Sequence, residues 1–179
     1  MTETTTRVPV ITVDMLRQNR LLQGVDSATI ELLVQELKPE IAMPGECIIR
    51  EGDASDFMFA IITGEVEVVS HGGSAKPDVR VALMGPSDWV GEMALLGTQP
   101  RSATVRALAP SVLLRLTAAD VKRLIQERDA AQYARMLLNI ARELAFRLRV
   151  ADRLIAQSSA AIAKQYVLES MRPPPKTSG

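Results

Sequence analysis

The chain has 179 residues, which suits one domain with an appended segment, and its 21 basic and 21 acidic residues cancel. This balance argues against a strongly basic nucleic-acid-binding domain, and a composition of 47% hydrophobic and 23% charged residues excludes global disorder. One cysteine, Cys47, and one histidine, His71, exclude an internal disulfide framework and a metal site built from several such ligands. We expect no metal. The sequence shows no secretory signal pattern and no membrane-spanning apolar run, so we expect a cytoplasmic protein.

The first part of the chain predicts an arm followed by a helix. Residues 1–13 show no apolar periodicity, and we assign residues 1–19 to an N-terminal arm. Asp26 or Ser27 can cap the helix that follows, and Pro39 ends it. Its apolar face consists of Ile30, Leu33, Val34 and Leu37.

Short apolar stretches separated by turns occupy residues 40–116. Pro44 and Gly45 fit the central positions of a type II turn, and residues 65–69 alternate polar with apolar side chains as a half-buried strand does. This density of short strands predicts a sandwich or a small barrel rather than a parallel sheet.

After residue 117 the apolar period becomes helical. Thr117 is a candidate cap for a helix ending near Arg128, and a long helix is predicted over 129–168, with a disordered Pro-rich tail at 169–179. A heptad seam runs along the long helix through Leu137, Ala141, Leu144, Leu148, Ala151, Ile155, Ser158 and Ile162. The stripe can pack on the chain's own barrel, but a strict heptad period favours a partner helix, and we expect a homodimer through 137–162.

The most informative stretch is residues 89–104. Gly91 opens a short predicted helix whose first N–H groups can bind an anion, and Glu92 at the same helix start can accept hydrogen bonds from a sugar hydroxyl. Ten residues after Gly91 comes Arg101, whose planar guanidinium suits bidentate phosphate binding. On these residues alone, an internal salt bridge between Glu92 and Arg101 fits equally well.

This stretch resembles the phosphate-binding cassette of cyclic nucleotide-binding domains, the module of the catabolite activator protein and of kinase regulatory subunits. The matching residues are Gly91-Glu92-Met93-Ala94-Leu95 and Pro100-Arg101-Ser102-Ala103, with the upstream pattern Pro44-Gly45-Glu46, Ile49, Glu51-Gly52-Asp53, Phe59, Ile61, Gly64, Val66 and Val68. The resemblance covers roughly residues 20 to 155 and places the domain itself at 20–128, with the cassette at 91–103. It implies a mixed α+β fold: an antiparallel β-roll or jelly-roll barrel with flanking helices and a long C-terminal helix for dimerisation and for closing over the base.

The resemblance also implies a ligand and the residues that bind it. Arg101 pairs with the cyclic phosphate and Glu92 holds the ribose 2′-hydroxyl. Backbone N–H groups near Gly91, Glu92, Ser102 and Ala103 complete the cradle, Met93 and Ala94 belong to the cassette helix, and Val81 and Leu83 line the base.

The preferred base depends on two further residues. Ser102 directly follows the arginine, as in the bacterial cAMP receptor, and favours cAMP, although a hydroxyl there can also contact guanine in cGMP. Asp152 falls in the region where that receptor carries its adenine contacts, and a carboxylate can accept hydrogen bonds from guanine or from the adenine amino group. An equally good alternative is that Asp152 is a solvated helix residue. We favour cAMP.

The expected function is a stand-alone cyclic-nucleotide receptor, not an enzyme, that regulates an unidentified effector protein in trans. Only 24 residues follow Ile155, too few for the helix-turn-helix domain of the family's transcription factors, so we expect no DNA-binding domain. One alternative is an interaction module with an unused or permanently filled pocket. Another is a regulatory fragment of a larger transcription factor, channel or enzyme.

Overall fold

A computed structural model describes residues 10–71, 78–97 and 100–170 of the chain. Internal contacts divide the chain into two compact units, Met1–Ile140 and Ala141–Gly179. The first unit carries the sheets and most of the helices, and the second carries most of the long C-terminal helix. Each unit is described by itself.

Two antiparallel sheets form the centre of the first unit. Their order is β1-β8-β3-β6 in one sheet and β2-β7-β4-β5 in the other. The described strands are β1 (Pro39–Ala42), β2 (Cys47–Ile49), β3 (Phe57–Thr63), β4 (Val66–Ser70), β5 (Val79–Met84), β6 (Trp89–Val90), β7 (Thr104–Ala107) and β8 (Ser111–Thr117). The predicted mixed α+β fold with antiparallel sheets and a long C-terminal helix is confirmed.

Side chains from both sheets meet in one apolar core. The buried cluster comprises Ala42, Ile49, Phe59, Ile61, Val66, Val90, Val105, Ala107 and Leu113. These residues come from seven of the eight strands, so the sheets face each other across a shared interior. The strand predicted at 65–69 forms as β4, but a bulge between Val68 and Val69 breaks its alternation, so that Val66 and Val69 are buried and Val68 is only partly buried.

The helices lie before, within and after the strands. They are α1 (Val13–Arg17), α2 (Ser27–Glu36), α3 (Met93–Leu96), α4 (Ala118–Asp120) and α5 (Ala130–Ser170), with a 3₁₀ turn at Arg20–Leu22 and a π-helical turn at Val121–Gln126. Two predicted caps are confirmed. Asp26 accepts a hydrogen bond from the Thr29 N–H at 2.7 Å, and Thr117 forms a capping box with Asp120.

The N-terminal segment is more ordered than an arm. Within the predicted arm at 1–19, α1 begins after Thr12, and Leu16 and Asn19 are buried together with Ile11. A five-residue helix is too short to show an apolar period, so no sequence pattern predicts it. Residues 1–9 lie outside the described part of the chain.

The first turns of α5 pack within the first unit. Met136 and Ile140 are fully buried, and the buried Asn139 amide donates to the carbonyls of Leu21 and Gln23, both at 2.9 Å. The helix ends at Ser170, two residues beyond the predicted 129–168. Of the predicted tail, residues 171–179 lie outside the described part.

Further along α5, in the second unit, large apolar side chains face solvent. Leu148 and Ile155 of the predicted seam are 63% and 64% exposed, and Phe146 and Leu154 are also exposed. Ala141 and Ala151 of the seam are exposed as well. This stretch of helix therefore presents an uncovered apolar surface within a single chain.

Candidate functional site

The candidate site is organised around the backbone of Gly91, which directly follows β6. Gly91 has a φ of +83°, a conformation that residues with a side chain rarely adopt. Its carbonyl accepts a hydrogen bond from Nη1 of Arg101 at 2.9 Å. A Cβ atom at this position would lie only 2.6 Å from the same Nη1 and 2.9 Å from Cδ1 of Ile49. Glycine is thus required both by the backbone conformation and by the closeness of the arginine.

Arg101 is held from several sides although it is a charged residue. Its Nη2 donates to the Phe57 carbonyl, and its guanidinium carbon lies 4.8 Å from the centroid of the Phe57 ring. Its backbone exchanges two hydrogen bonds with the loop before β3: its N–H donates to the Asp53 carbonyl, and its carbonyl accepts from the Gly52 N–H, both at 2.9 Å. The side chain is therefore positioned before any ligand arrives.

The electrostatics of the site favour an anion beside this arginine. Burial lowers the pKa of the Arg101 guanidinium, and the nearby Arg115 lowers it further, whereas the carboxylates of Glu92 and Asp56 raise it. A guanidinium is not deprotonated in proteins, so Arg101 stays charged at neutral pH. Only 7% of Arg101 is exposed, so its charge is weakly screened by water.

Glu92 and α3 form the second side of the site. Glu92 is buried, with 3% exposed, and it stands at the start of α3 without capping that helix through its side chain. The Ala94 N–H donates to the Gly91 carbonyl at 3.2 Å, which fixes the turn from β6 into α3. The buried carboxylate of Glu92 and the buried guanidinium of Arg101 thus lie in the same site. Both alternatives from the sequence, a phosphate site and an internal salt bridge, require this.

Other residues of the cassette lie close to these two. The Ser102 hydroxyl contacts Sδ of Met93 at 3.8 Å, which joins the residue after the arginine to α3. Ser102 and Met93 are exposed, and Ala103 is partly buried. The structure therefore brings Gly91, Met93 and Ala94 together with Arg101 and Ser102.

The residues predicted to contact the base lie outside the cassette. Val81 and Leu83 lie on β5, the edge strand of its sheet, and are 57% and 49% exposed. Exposed apolar side chains on an edge strand can form a surface for a flat ligand. Asp152 is an exposed residue of α5 in the second unit. The roles of these three residues stay predictions.

The loop before β3 and the start of β3 contribute groups around Arg101 that the sequence alone did not identify. A cavity of about 140 Å³ is lined by Arg101 together with Phe57, Asp53 and Ser55. The Ser55 hydroxyl is buried and has no hydrogen-bond partner among the described residues. The motif around Gly52 pointed to this loop, but a backbone acceptor such as the Phe57 carbonyl leaves no sequence signal, because every residue has one.

Two searches of the described residues were negative. Within residues 10–71, 78–97 and 100–170, no group of three or more His, Cys, Asp or Glu side chains could hold a metal ion. In the same ranges, no helix combines the length and the apolar character needed to cross a membrane.

Comparison with known proteins gives concordant matches. The family model described as cyclic nucleotide-binding domain matches residues 40–128. A cyclic nucleotide-gated potassium channel of Rhizobium etli is 42% identical over 100 residues, which are 56% of this chain and 26% of the channel. A CRP-like cAMP-activated global transcriptional regulator of Mycobacterium tuberculosis is 27% identical over 172 residues, 89% of this chain and 70% of the regulator.

A solved structure supports the same relationship. The crystal structure of the Thermus thermophilus catabolite activator protein matches with a TM-score of 0.67 and 28% identity, over 79% of this chain and 63% of that one. The matches span 12% of the potassium channel AKT2 of Oryza sativa, 26% of the Rhizobium etli channel and 70% of the Mycobacterium tuberculosis regulator. The activities of those whole proteins therefore come to this chain only as proposals.

Proposed function

We propose that this chain, which belongs to the cyclic nucleotide-binding domain family through residues 40–128, is a receptor for a cyclic nucleotide, with cAMP favoured over cGMP. The observation that carries the proposal is the buried, pre-positioned Arg101 beside Gly91 and Glu92. A family member that does not bind a nucleotide would need neither the arginine nor the glutamate. This chain has both, and both are buried.

Arg101 is suited to the cyclic phosphate. The phosphodiester carries one negative charge, and a guanidinium can donate two parallel hydrogen bonds to its oxygens. The two hydrogen bonds to carbonyls described above use only some of the N–H donors of Arg101. Because the arginine is already desolvated and oriented, binding requires little further reorganisation of this side chain.

Glu92 is suited to the ribose. A carboxylate accepts hydrogen bonds from hydroxyl groups, and such charge-assisted bonds are stronger than neutral ones. Since Glu92 is buried, a ligand with a 2′-hydroxyl would gain a bond in a poorly hydrated environment. The same ligand without this hydroxyl would leave the position unfilled and bind more weakly.

The preference for cAMP rests on two lines of support. Ser102 directly follows Arg101, which is the pattern of the bacterial cAMP receptor. The printed name of the Mycobacterium tuberculosis relative calls that protein cAMP-activated. The apolar side chains of Val81 and Leu83 accommodate either purine, and Asp152 is proposed to contribute to the choice between them.

The proposed output is a contact with another protein in trans, from a cytoplasmic homodimer without catalytic activity. The exposed apolar surface of α5 supports the dimer, because Leu148 and Ile155 lie one heptad apart on it. A partner helix would cover this surface. The ligand would act by binding one conformation of the dimer more tightly than another.

A second candidate function has one observation in its favour. The Arg101 side chain already has two carbonyl partners and the Phe57 ring, so the charged pocket can stabilise the fold without a nucleotide. In that case the chain is an interaction module with an unused pocket. The two candidates differ in whether any cyclic nucleotide binds to protein freed of bound ligand.

The proposed function is tested by comparing cAMP with 2′-deoxy-cAMP in calorimetric titrations. Arg101→Ala should weaken cAMP binding at least about thirtyfold, the size of a lost charge-assisted hydrogen bond. Glu92→Ala should weaken cAMP binding and also remove the advantage of cAMP over the deoxy analogue. Arg106→Ala, which removes a half-exposed arginine paired with Glu67, is the matched control and should bind like wild type. Equal affinity of wild type and Arg101→Ala would overturn the site assignment.

The dimer is tested separately by sedimentation equilibrium. Wild type should sediment at twice the chain mass of 19.5 kDa, and a Leu148→Glu, Ile155→Glu double variant as a monomer. Arg149→Glu changes the net charge by the same two units as the double variant, at an exposed position next to Leu148, and should stay dimeric. A monomeric wild type, or a dimeric double variant, would contradict the proposed interface.

A further inference from the structure

The ring of Phe57 contacts two arginines. The guanidinium carbon of Arg101 is 4.8 Å from its centroid and that of Arg115 is 4.0 Å from it. Both distances are within the range of a cation–π contact. Phe57 begins β3, and Arg115 lies on β8, the strand that pairs with β3. Arg115 also approaches Glu40 on β1 at 3.8 Å, so an ion pair and an aromatic ring connect β1 to the candidate phosphate arginine.

Phe57 thus contacts Arg101 in two independent ways. Its carbonyl accepts from Nη2, and its ring provides a negative quadrupole for the guanidinium. The ring contacts two like charges, and Arg115 is close enough to lower the pKa of Arg101. The ring is itself fixed by an edge-on contact with the buried Phe59, at a centroid distance of 5.3 Å.

We propose that Phe57 is the positioning residue for the phosphate-binding arginine: its ring, in contact with both Arg101 and Arg115, holds the Arg101 guanidinium in the orientation that receives the cyclic phosphate. This inference rests on the proposed function. It adds a residue outside the cassette, and it predicts that substituting the ring changes how the phosphate oxygens are recognised. The carbonyl contact belongs to the backbone and persists in any side-chain variant, so such a variant isolates the ring.

The test uses the full chain and the two phosphorothioate diastereomers of cAMP, which differ only in which exocyclic phosphate oxygen is replaced by sulfur. Phe57→Leu keeps an apolar side chain but removes the ring. It should weaken cAMP binding about three- to thirtyfold, the range for a cation–π contact at a partly buried site. It should also reduce the affinity ratio between the two diastereomers, because a less constrained guanidinium distinguishes the two oxygens less well. Phe57→Tyr keeps the ring and should retain both the affinity and the ratio.

A matched control separates positioning from general destabilisation. Leu33→Ala truncates a buried side chain of α2, outside the strands that carry Phe57 and Arg115, and should lower the unfolding temperature while keeping the diastereomer ratio. A Phe57→Leu protein that folds, binds cAMP normally and keeps the wild-type ratio overturns the positioning role and leaves the proposed function intact. Should Phe57→Leu fail to fold, loss of the ratio in Phe57→Tyr would overturn it. If wild type binds no cyclic nucleotide, both the proposed function and this inference fail.

Discussion

A methyl group at position 91 would disturb the site in a way that can be calculated from the structure. Gly91→Ala places a Cβ atom 2.6 Å from Nη1 of Arg101, so the guanidinium must retreat by at least 0.4 Å to reach 3.0 Å, below which such contacts essentially never occur. The Ile49 side chain, 2.9 Å away, restricts the opposite direction. The left-handed backbone adds about 1–2 kcal/mol of strain, and the overpacking adds about 1–3 kcal/mol.

Gly45 supplies the control for this substitution. It has a φ of +87°, close to that of Gly91, but nothing lies within 4 Å of a Cβ atom built there. Gly45→Ala should therefore destabilise the fold by about 1–2 kcal/mol through backbone strain alone and should leave nucleotide binding unchanged. The difference between the two variants measures the steric part of the Gly91 constraint.

Urea unfolding gives the free energy of unfolding of both variants, and calorimetry gives their affinity for cAMP. We expect Gly91→Ala to cost about 2–5 kcal/mol of stability and to weaken binding about tenfold or more, because the displaced arginine loses its bond to the Gly91 carbonyl. Equal destabilisation in the two variants, together with wild-type affinity in both, would refute the argument that Gly91 is needed for the approach of Arg101.

Three further predictions concern other parts of the chain. Burial raises the pKa of the Asp120 carboxyl, but hydrogen bonds from Thr117 and Arg123 outweigh this effect and leave the pKa lowered. The stabilisation by this carboxylate is therefore present above its pKa in the unfolded chain, and it is lost as the pH falls through its lower pKa in the folded protein. Asp120→Asn should cost about 1 kcal/mol in urea unfolding at neutral pH, and a cost that did not shrink below about pH 4 would contradict this. Asn139→Leu leaves two carbonyls without their donor and should cost about 2 kcal/mol, so unchanged stability would show that these bonds contribute nothing. Asp152→Ala should change the ratio of cAMP to cGMP affinity, and an unchanged ratio would make Asp152 a solvated helix residue.

The sequence predicts structure best where that structure depends on residues that are close together in the chain. The caps at Asp26 and Thr117 follow from local hydrogen bonding, and the alternating pattern of 65–69 follows from the two-residue period of a strand. The cassette is equally local, since Gly91 and Arg101 are ten residues apart. Local patterns therefore predicted short strands in a sandwich or small barrel, whereas the mixed α+β fold and the roles of Glu92 and Arg101 were implied by the family resemblance.

Features that depend on distant parts of the chain were not predictable. Phe57 lies 44 positions before Arg101, and its contacts exist only once β3 is placed beside the cassette. Nothing in the sequence distinguishes Asn139 from other polar residues of a long helix. Its amide nevertheless donates to backbone carbonyls more than 100 positions earlier. Such contacts are set by tertiary packing, and their acceptors are main-chain atoms that are the same in every residue.

The most direct test of the account is a calorimetric titration of wild-type protein, unfolded and refolded to remove any bound nucleotide, with cAMP, cGMP and 5′-AMP. We predict saturable binding of a cyclic nucleotide, tighter for cAMP than for cGMP, and much weaker binding of 5′-AMP, whose open phosphate carries a different charge and shape. Binding of neither cyclic nucleotide by the refolded protein would contradict the central claim that the buried pair of Glu92 and Arg101 forms a nucleotide receptor.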